Sequence, residues 1–136
     1  MSEPRTLSLL PWQVTLAEFI QKAGEVKEDG ACCAFIVDPS IPKAARGGYA
    51  SLVMAYSRAD EPVCVLEDGA LVLVRDGGMA SGKALAERVF VQMRRLALDL
   101  TLTAGVALIG DDPSQSVTAA RAAATSIPAG QVGTEG

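Results

Sequence analysis

The chain has 136 residues, a net charge of −4 and 49% hydrophobic residues. This length fits one domain with an aliphatic core, and the composition excludes a wholly disordered chain. There is no histidine, which excludes Ser-His-Asp and Cys-His catalysis and removes the commonest zinc ligand. The acidic balance argues against nucleic-acid binding, and no apolar run is long enough to span a bilayer. Because the N-terminus also lacks a signal-peptide pattern, we predict a cytoplasmic protein bound to neither nucleic acid nor membrane.

The first predicted element is a short helix within an N-terminal extension over residues 1–30. Thr15 and Glu18 have the spacing of a capping box, and the helix is expected to end near Gly24. Residues 31–37 (ACCAFIV) then form a continuous apolar run. Its length is typical of a strand that is covered on both faces.

The middle of the chain predicts a helix followed by a hairpin. The helix begins at Pro42, is interrupted at Gly47-Gly48, and continues with apolar residues at helical spacing to Tyr56. Two short strands follow over residues 62–66 and 70–74. The Glu-Asp-Gly sequence between them is a hairpin signal, because glycine accepts the backbone angles that such a turn requires.

The clearest helix is predicted over residues 83–98, whose apolar positions fall on one arc of a helical wheel. Val91 lies on the polar side of this wheel, and Arg88 and Arg95 lie opposite the apolar arc. These three residues are candidates for contact with a partner. The alternative is a solvated charged face with one exposed valine.

The last predicted elements are a strand over residues 100–109 and an alanine-rich helix that ends near Thr125. Gly105, inside the strand, indicates a bulge or a close approach of another backbone. Residues 128–136 are expected to be a flexible tail.

Three cysteines lie in the apolar segments: Cys32, Cys33 and Cys64. Their odd number and the lack of CxxC spacing argue against both a disulfide framework and a metal site. We therefore expect reduced, buried thiols.

From residue 31 the order of elements is strand, helix, strand, strand, helix, strand. This is the split βαββαβ pattern of ferredoxin-like folds. It predicts an α+β palm domain over residues 31–127, with an antiparallel-rich sheet and helices on one face. One extra helix is expected at each end.

The residues within this pattern resemble a known family. Residues 57–124 are similar to the second half of GGDEF domains, the diguanylate cyclases of bacterial signalling, whose core is the same palm. The similar segments are the hairpin DEPVCVLEDGALVLV, the helix sequence LAER, the strand LTAGVA and the final AARAAA. Phe35-Ile36-Val37-Asp38 resembles the family's first strand, where the resemblance implies a metal-binding Asp at Asp38.

The signature of the family is altered in this chain. The stretch Leu66–Ala70 (LEDGA) lacks the two glycines, the Glu and the Phe, while Asp68 keeps an acid at the third place. The resemblance implies Asp38 and Asp68 as candidate metal ligands, with magnesium expected only if they converge. Two isolated carboxylates do not suffice for two-metal phosphoryl chemistry. We therefore expect no resident cofactor and no enzyme activity.

Ordinary turn chemistry also accounts for both acids, since Asp38 precedes a proline and Asp68 lies in a hairpin turn. The inhibitory product site of the family is an RxxD before the signature. Arg58-Ala59-Asp60 is one residue shorter, so the resemblance does not carry this site over securely.

A competing motif lies before the clearest helix. Residues 77–84 (GGMASGKA) nearly match the P-loop pattern GxxxxGK[ST], with Gly77, Gly82 and Lys83 at the matching positions. Ala84 replaces the residue that would hold magnesium. The alternative is a loop with a helix cap.

Three functions follow from these observations. The first is a catalytically inactive GGDEF-like regulatory module that binds a regulatory protein, a second copy of itself or a nucleotide. The alternatives are a small P-loop-like nucleotide-binding protein that uses Gly77–Lys83, and a structural or assembly protein without a ligand site.

Overall fold

A five-stranded sheet with the order β2-β3-β1-β4-β5 forms the centre of the computed structural model, which describes residues 13–27, 29–58 and 60–135. Its strands are β1 (Ala31–Val37), β2 (Val63–Leu66), β3 (Gly69–Val74), β4 (Leu102–Leu108) and β5 (Val132–Glu135). β1 pairs antiparallel with β3 and β4, and β2 pairs antiparallel with β3. All 7 residues of β1 are buried, which confirms the prediction of a strand covered on both faces.

Helices cover both faces of this sheet. They are α1 (Leu16–Gly24), α2 (Lys43–Tyr56), α3 (Gly78–Arg95) and α4 (Pro113–Thr125), with a 3₁₀ turn at Asp99–Thr101. One apolar cluster joins α2 and α3 to one face, and a second joins α1 and α4 to the other. The predicted α+β palm class is confirmed, with the two palm helices on one face. The two extra terminal helices cover the opposite face.

Local signals set the first helix as predicted. The Thr15 side chain accepts a hydrogen bond from the Glu18 backbone N–H (3.2 Å), and the Glu18 carboxylate accepts one from the Thr15 N–H (2.9 Å). This is a complete capping box, and it holds the pKa of Glu18 below its usual value. Residues 1–12 of the predicted extension lie outside the described residues.

Two helices differ from the prediction at their boundaries. α2 runs through Gly47-Gly48 without interruption, because burial of Tyr49 and Val53 offsets the low helix propensity of glycine. α3 begins at Gly78 rather than residue 83. It ends at Arg95 rather than at residue 98.

The cause of this ending is a Schellman motif in which an alanine takes the position usually held by glycine. Ala97 has a φ of 59°, and the Leu98 N–H donates to the Met93 carbonyl (2.9 Å) while the Ala97 N–H donates to Arg94 (3.1 Å).

The prediction of a flexible tail over residues 128–136 is wrong for residues 132–135. These residues form β5, which pairs in parallel with β4 in the register Ala104↔Val132 to Ala107↔Glu135. The pairing satisfies backbone groups of β4 that would otherwise lie at an open edge. The domain limits at residues 30 and 127 stay predictions.

The last helix lies unusually close to the sheet at two glycines. A Cβ atom at Gly105 would lie 2.0 Å from the Ala120 carbonyl oxygen, and one at Gly133 would lie 2.4 Å from that of Ala123. Gly105 and Gly133 are register partners on β4 and β5. The alternative of a close backbone approach at Gly105 is therefore confirmed.

The three thiols are buried and unpaired, as predicted. Burial raises the pKa of Cys32 to about 12 and raises the pKa of Cys33 and Cys64 as well. Within the described residues, no helix combines the length and apolar character needed to cross a membrane.

Replacing Gly105 with alanine tests the close seating of α4. We expect Gly105→Ala to lower the free energy of unfolding by about 3 kcal/mol, because the new methyl group meets backbone atoms that cannot rotate away. Gly47→Ala is the matched control, since nothing lies within 4 Å of a Cβ there. It should raise the free energy of unfolding by about 0.5–1 kcal/mol. Urea denaturation measures both, and equal midpoints for the two variants would contradict this packing.

Candidate functional site

The altered signature forms a tight hairpin turn. Glu67 and Asp68 connect β2 to β3, and Leu66 pairs with Gly69 at the ends of these strands. A Cβ atom at Gly69 would lie 1.7 Å from the Phe35 carbonyl oxygen of β1. Glycine at this position therefore lets the hairpin pack directly against the central strand, which is a structural requirement.

Asp68 is held at both its backbone and its side chain. Its carbonyl oxygen accepts a hydrogen bond from the Val37 N–H at the end of β1 (2.8 Å). Its carboxylate Oδ2 lies 3.0 Å from Nη2 of Arg121 on α4. The side chain of Asp68 is 35% exposed and that of Arg121 is 38% exposed. The ion pair therefore lies at the protein surface, at the edge of the sheet face that α4 covers.

Asp38 is engaged in a local turn. Its carboxylate Oδ1 accepts a hydrogen bond from the Ser40 N–H (2.8 Å), which holds the pKa of Asp38 below its usual value. Arg46 on α2 fixes the same loop by donating to the carbonyls of Ile41 and Pro39, each at 3.0 Å. The turn that was the alternative interpretation of Asp38 is therefore formed.

The structure brings the two acids to the same end of the sheet but gives their carboxylates separate surroundings. Asp68 lines a groove of about 530 Å³ with Arg121 and Arg46. Asp38 lines a different, mainly apolar cavity of about 240 Å³ beside Thr101. Among the described residues, no three His, Cys, Asp or Glu side chains are placed together to hold a metal ion. The donor set therefore does not fit the metal pair that the resemblance implies.

The P-loop-like segment does not form a phosphate-binding loop. Residues 78–83 lie in the first turns of α3, so Lys83 is inside the helix instead of at its N-terminus. Gly82 is buried, and a Cβ atom there would lie 2.5 Å from a Val106 side-chain atom. The preceding strand β3 belongs to an antiparallel hairpin. The predicted phosphate cradle at Gly77, Gly82 and Lys83 is wrong because the helix begins too early.

The candidate partner contacts on α3 divide into two groups. Val91 is 40% exposed and Arg95 is exposed, as the helical wheel predicts. Arg88 is instead partly buried, with its side chain 30% exposed, and its guanidinium donates to the Tyr56 carbonyl (3.1 Å) and to the Glu61 carboxylate (2.6 Å). Arg88 therefore stays a predicted contact whose guanidinium is already engaged within the chain.

Glu61 is a residue that the sequence did not single out. It is 8% exposed, and its carboxylate also accepts a hydrogen bond from the Arg58 N–H (2.6 Å). Together with Arg58, Asp60, Arg75 and Arg88 it lines a polar cavity of about 240 Å³. Ala59 of the predicted Arg58-Ala59-Asp60 segment lies outside the described residues.

Solved structures with a similar fold are GGDEF domains. The GGDEF domain of PA1120 (YfiN or TpbB) from Pseudomonas aeruginosa matches with a TM-score of 0.72 and 17% identity, covering 93% of this chain and 99% of that chain. The FimX GGDEF domain from the same organism matches at 0.64 and 11% identity, covering 88% of each chain. An EAL/GGDEF domain protein from M. capsulatus matches at 0.65 and 13% identity, covering 85% of this chain and 92% of that chain.

These likenesses show that the chain has the fold of a GGDEF domain, as the resemblance of its sequence implied. No family model matches the sequence, and no curated protein matches it.

Replacing Arg88 tests its ion pair with the buried Glu61. Arg88→Met should lower the free energy of unfolding by about 2 kcal/mol, because Glu61 would keep its burial but lose its charged partner. Arg95→Met, on the exposed side of the same helix, should change it by less than about 0.5 kcal/mol. Chemical denaturation at neutral pH compares the two variants. An Arg88 variant as stable as the wild type would show that the pair contributes nothing to folding.

Proposed function

We propose that this chain is a catalytically inactive GGDEF-like domain that acts as a regulatory binding module in bacterial signalling. The observation that carries the proposal is the signature turn, where side chains stand at Leu66 and Glu67 in place of glycines. In active members of the family, glycines at these places let substrate phosphates approach the backbone. Here the remaining acid, Asp68, is paired with Arg121.

Retention of the scaffold supports a binding role. The likeness to the GGDEF domain of PA1120 covers 93% of the chain, and a buried apolar cluster lies on each face of the sheet. A fold that keeps its packing after losing its reactive groups can still present a defined surface to a partner. The reduced, buried thiols agree with the cytoplasmic location that we propose for it.

The surface that best supports contact with a protein lies at the C-terminal end of α3 and in the turn that follows. Val91, Leu96 and Leu100 are 40%, 48% and 70% exposed there. Arg94 and Arg95 lie between the first two of these residues in the sequence and are also exposed. Exposed apolar side chains beside charged ones are typical of an interaction site. The occupant that we propose is a regulatory protein or a second copy of this chain.

The cavity that contains Arg58, Arg75 and Arg88 is the place where a nucleotide, the alternative ligand, would find guanidinium groups for its phosphates. It is a weaker candidate than the protein surface, because Asp60, Glu61 and Asp76 line the same cavity. The early start of α3 leaves no P-loop to support nucleotide binding at Lys83. A ligand-free assembly protein is the alternative that remains if the chain binds neither a protein partner nor a nucleotide.

Two measurements test the proposal. Purified protein incubated with GTP and Mg²⁺ or Mn²⁺ should form no cyclic di-GMP above a protein-free blank, with an active diguanylate cyclase as positive control. Cyclic di-GMP produced at enzyme-like rates would overturn the inactive assignment.

The binding half is tested by ultracentrifugation and by co-purification of partners with the wild type and with Leu100→Glu. We expect an association that this variant loses and that Leu16→Glu, on the opposite face of the sheet, retains. Equal association of the two variants would exclude the proposed surface.

A further inference from the structure

The two candidate metal ligands, Asp38 and Asp68, already have a hydrogen-bond donor from within the chain. The Ser40 N–H occupies Asp38, and the Arg121 guanidinium occupies Asp68. We propose that Arg121 is the counter-ion of Asp68 in place of a divalent cation, so that α4 blocks cation binding at this carboxylate. This inference rests on the proposed function, because it explains how the acid is accommodated after the chemistry is lost.

Buried packing fixes both ends of the ion pair. On α4, Ala120 and Ala124 lie within one helical turn of Arg121 and are fully buried. The same helix packs closely on β4 at Gly105. On the hairpin, the Asp68 carbonyl is bonded to the end of β1. The guanidinium therefore reaches the carboxylate from a helix that cannot withdraw without unpacking.

The charge of Arg121 opposes the binding of a cation at Asp68. Its guanidinium is positively charged and lies within hydrogen-bond distance of the Asp68 carboxylate. A divalent cation placed on the same carboxylate would lie within a few ångströms of this positive charge and would be repelled. The pair is half-exposed, so its contribution to folding is expected to be about 1 kcal/mol or less. Its main effect is therefore on ion binding, and folding should survive its removal.

The test uses Mn²⁺ as the probe and compares Arg121→Gln with the wild type. Mn²⁺ broadens the NMR signals of amides near its binding site, so a titration locates the ion and gives its affinity. In Arg121→Gln we expect broadening centred on the amides around Asp68, with an affinity at least about tenfold above that of the wild type. Adding Asp68→Asn to this variant should abolish the gain.

Arg95→Gln is the matched control, because it removes the same charge from the exposed side of α3. It should bind Mn²⁺ as the wild type does, and an equal gain in this variant would overturn the proposal by showing an effect of net charge alone. The proposal also fails if wild type and Arg121→Gln bind Mn²⁺ equally at Asp68. It fails as well if Arg121→Gln does not fold, since that would make the pair a structural element. None of these outcomes depends on whether the wild type turns over GTP.

Discussion

The close contact between α4 and the sheet at Gly105 determines where Arg121 lies relative to the hairpin turn and where β5 joins the sheet. Because no side chain stands at Gly105 or at its neighbour Gly133, the alanine face of α4 lies against backbone. That depth places Arg121 within hydrogen-bond distance of the hairpin turn. It also leaves room for β5 to extend the sheet beside β4. Larger side chains at these glycines would displace the helix, the ion pair and the edge strand together.

The hairpin turn is fixed from the other side by a second backbone contact. Gly69 lies so close to the Phe35 carbonyl that no other residue fits without a shift. Asp68 is therefore held between β1 and α4, and Asp38 directly follows the last residue of β1. The fold is that of a GGDEF domain, while the carboxylates of Asp38 and Asp68 are each bonded to a donor of the same chain. This combination is the physical basis for proposing a binding module.

Local patterns in the sequence predicted much of the fold. The capping box at Thr15, the all-apolar run of β1 and the Glu-Asp-Gly hairpin each specify structure through neighbouring residues, and the structure contains all three. The sequence did not predict β5, because its four residues are too few to show a periodic pattern. The start of α3 was misplaced because glycines at its first turns are usually a sign of a loop.

The candidate site was less predictable, because its contacts join residues that are distant in the sequence. Arg121 and Asp68 are 53 positions apart, and Arg88 and Glu61 are 27 apart. A helical wheel shows that Arg88 lies off the apolar arc, but it cannot show that a buried carboxylate lies opposite. Likewise, turn chemistry placed Asp68 correctly but gave no indication of a guanidinium beside it.

Arg121, and not a metal ion, is proposed to neutralise Asp68. The most direct measurement is a crystal structure of the wild type soaked with MnCl₂ and a non-hydrolysable GTP analogue, with anomalous data collected near the manganese edge. We expect no anomalous peak beside Asp38 or Asp68 and an intact contact between Arg121 and Asp68. A manganese peak coordinated by Asp68, with the Arg121 side chain displaced, would contradict it.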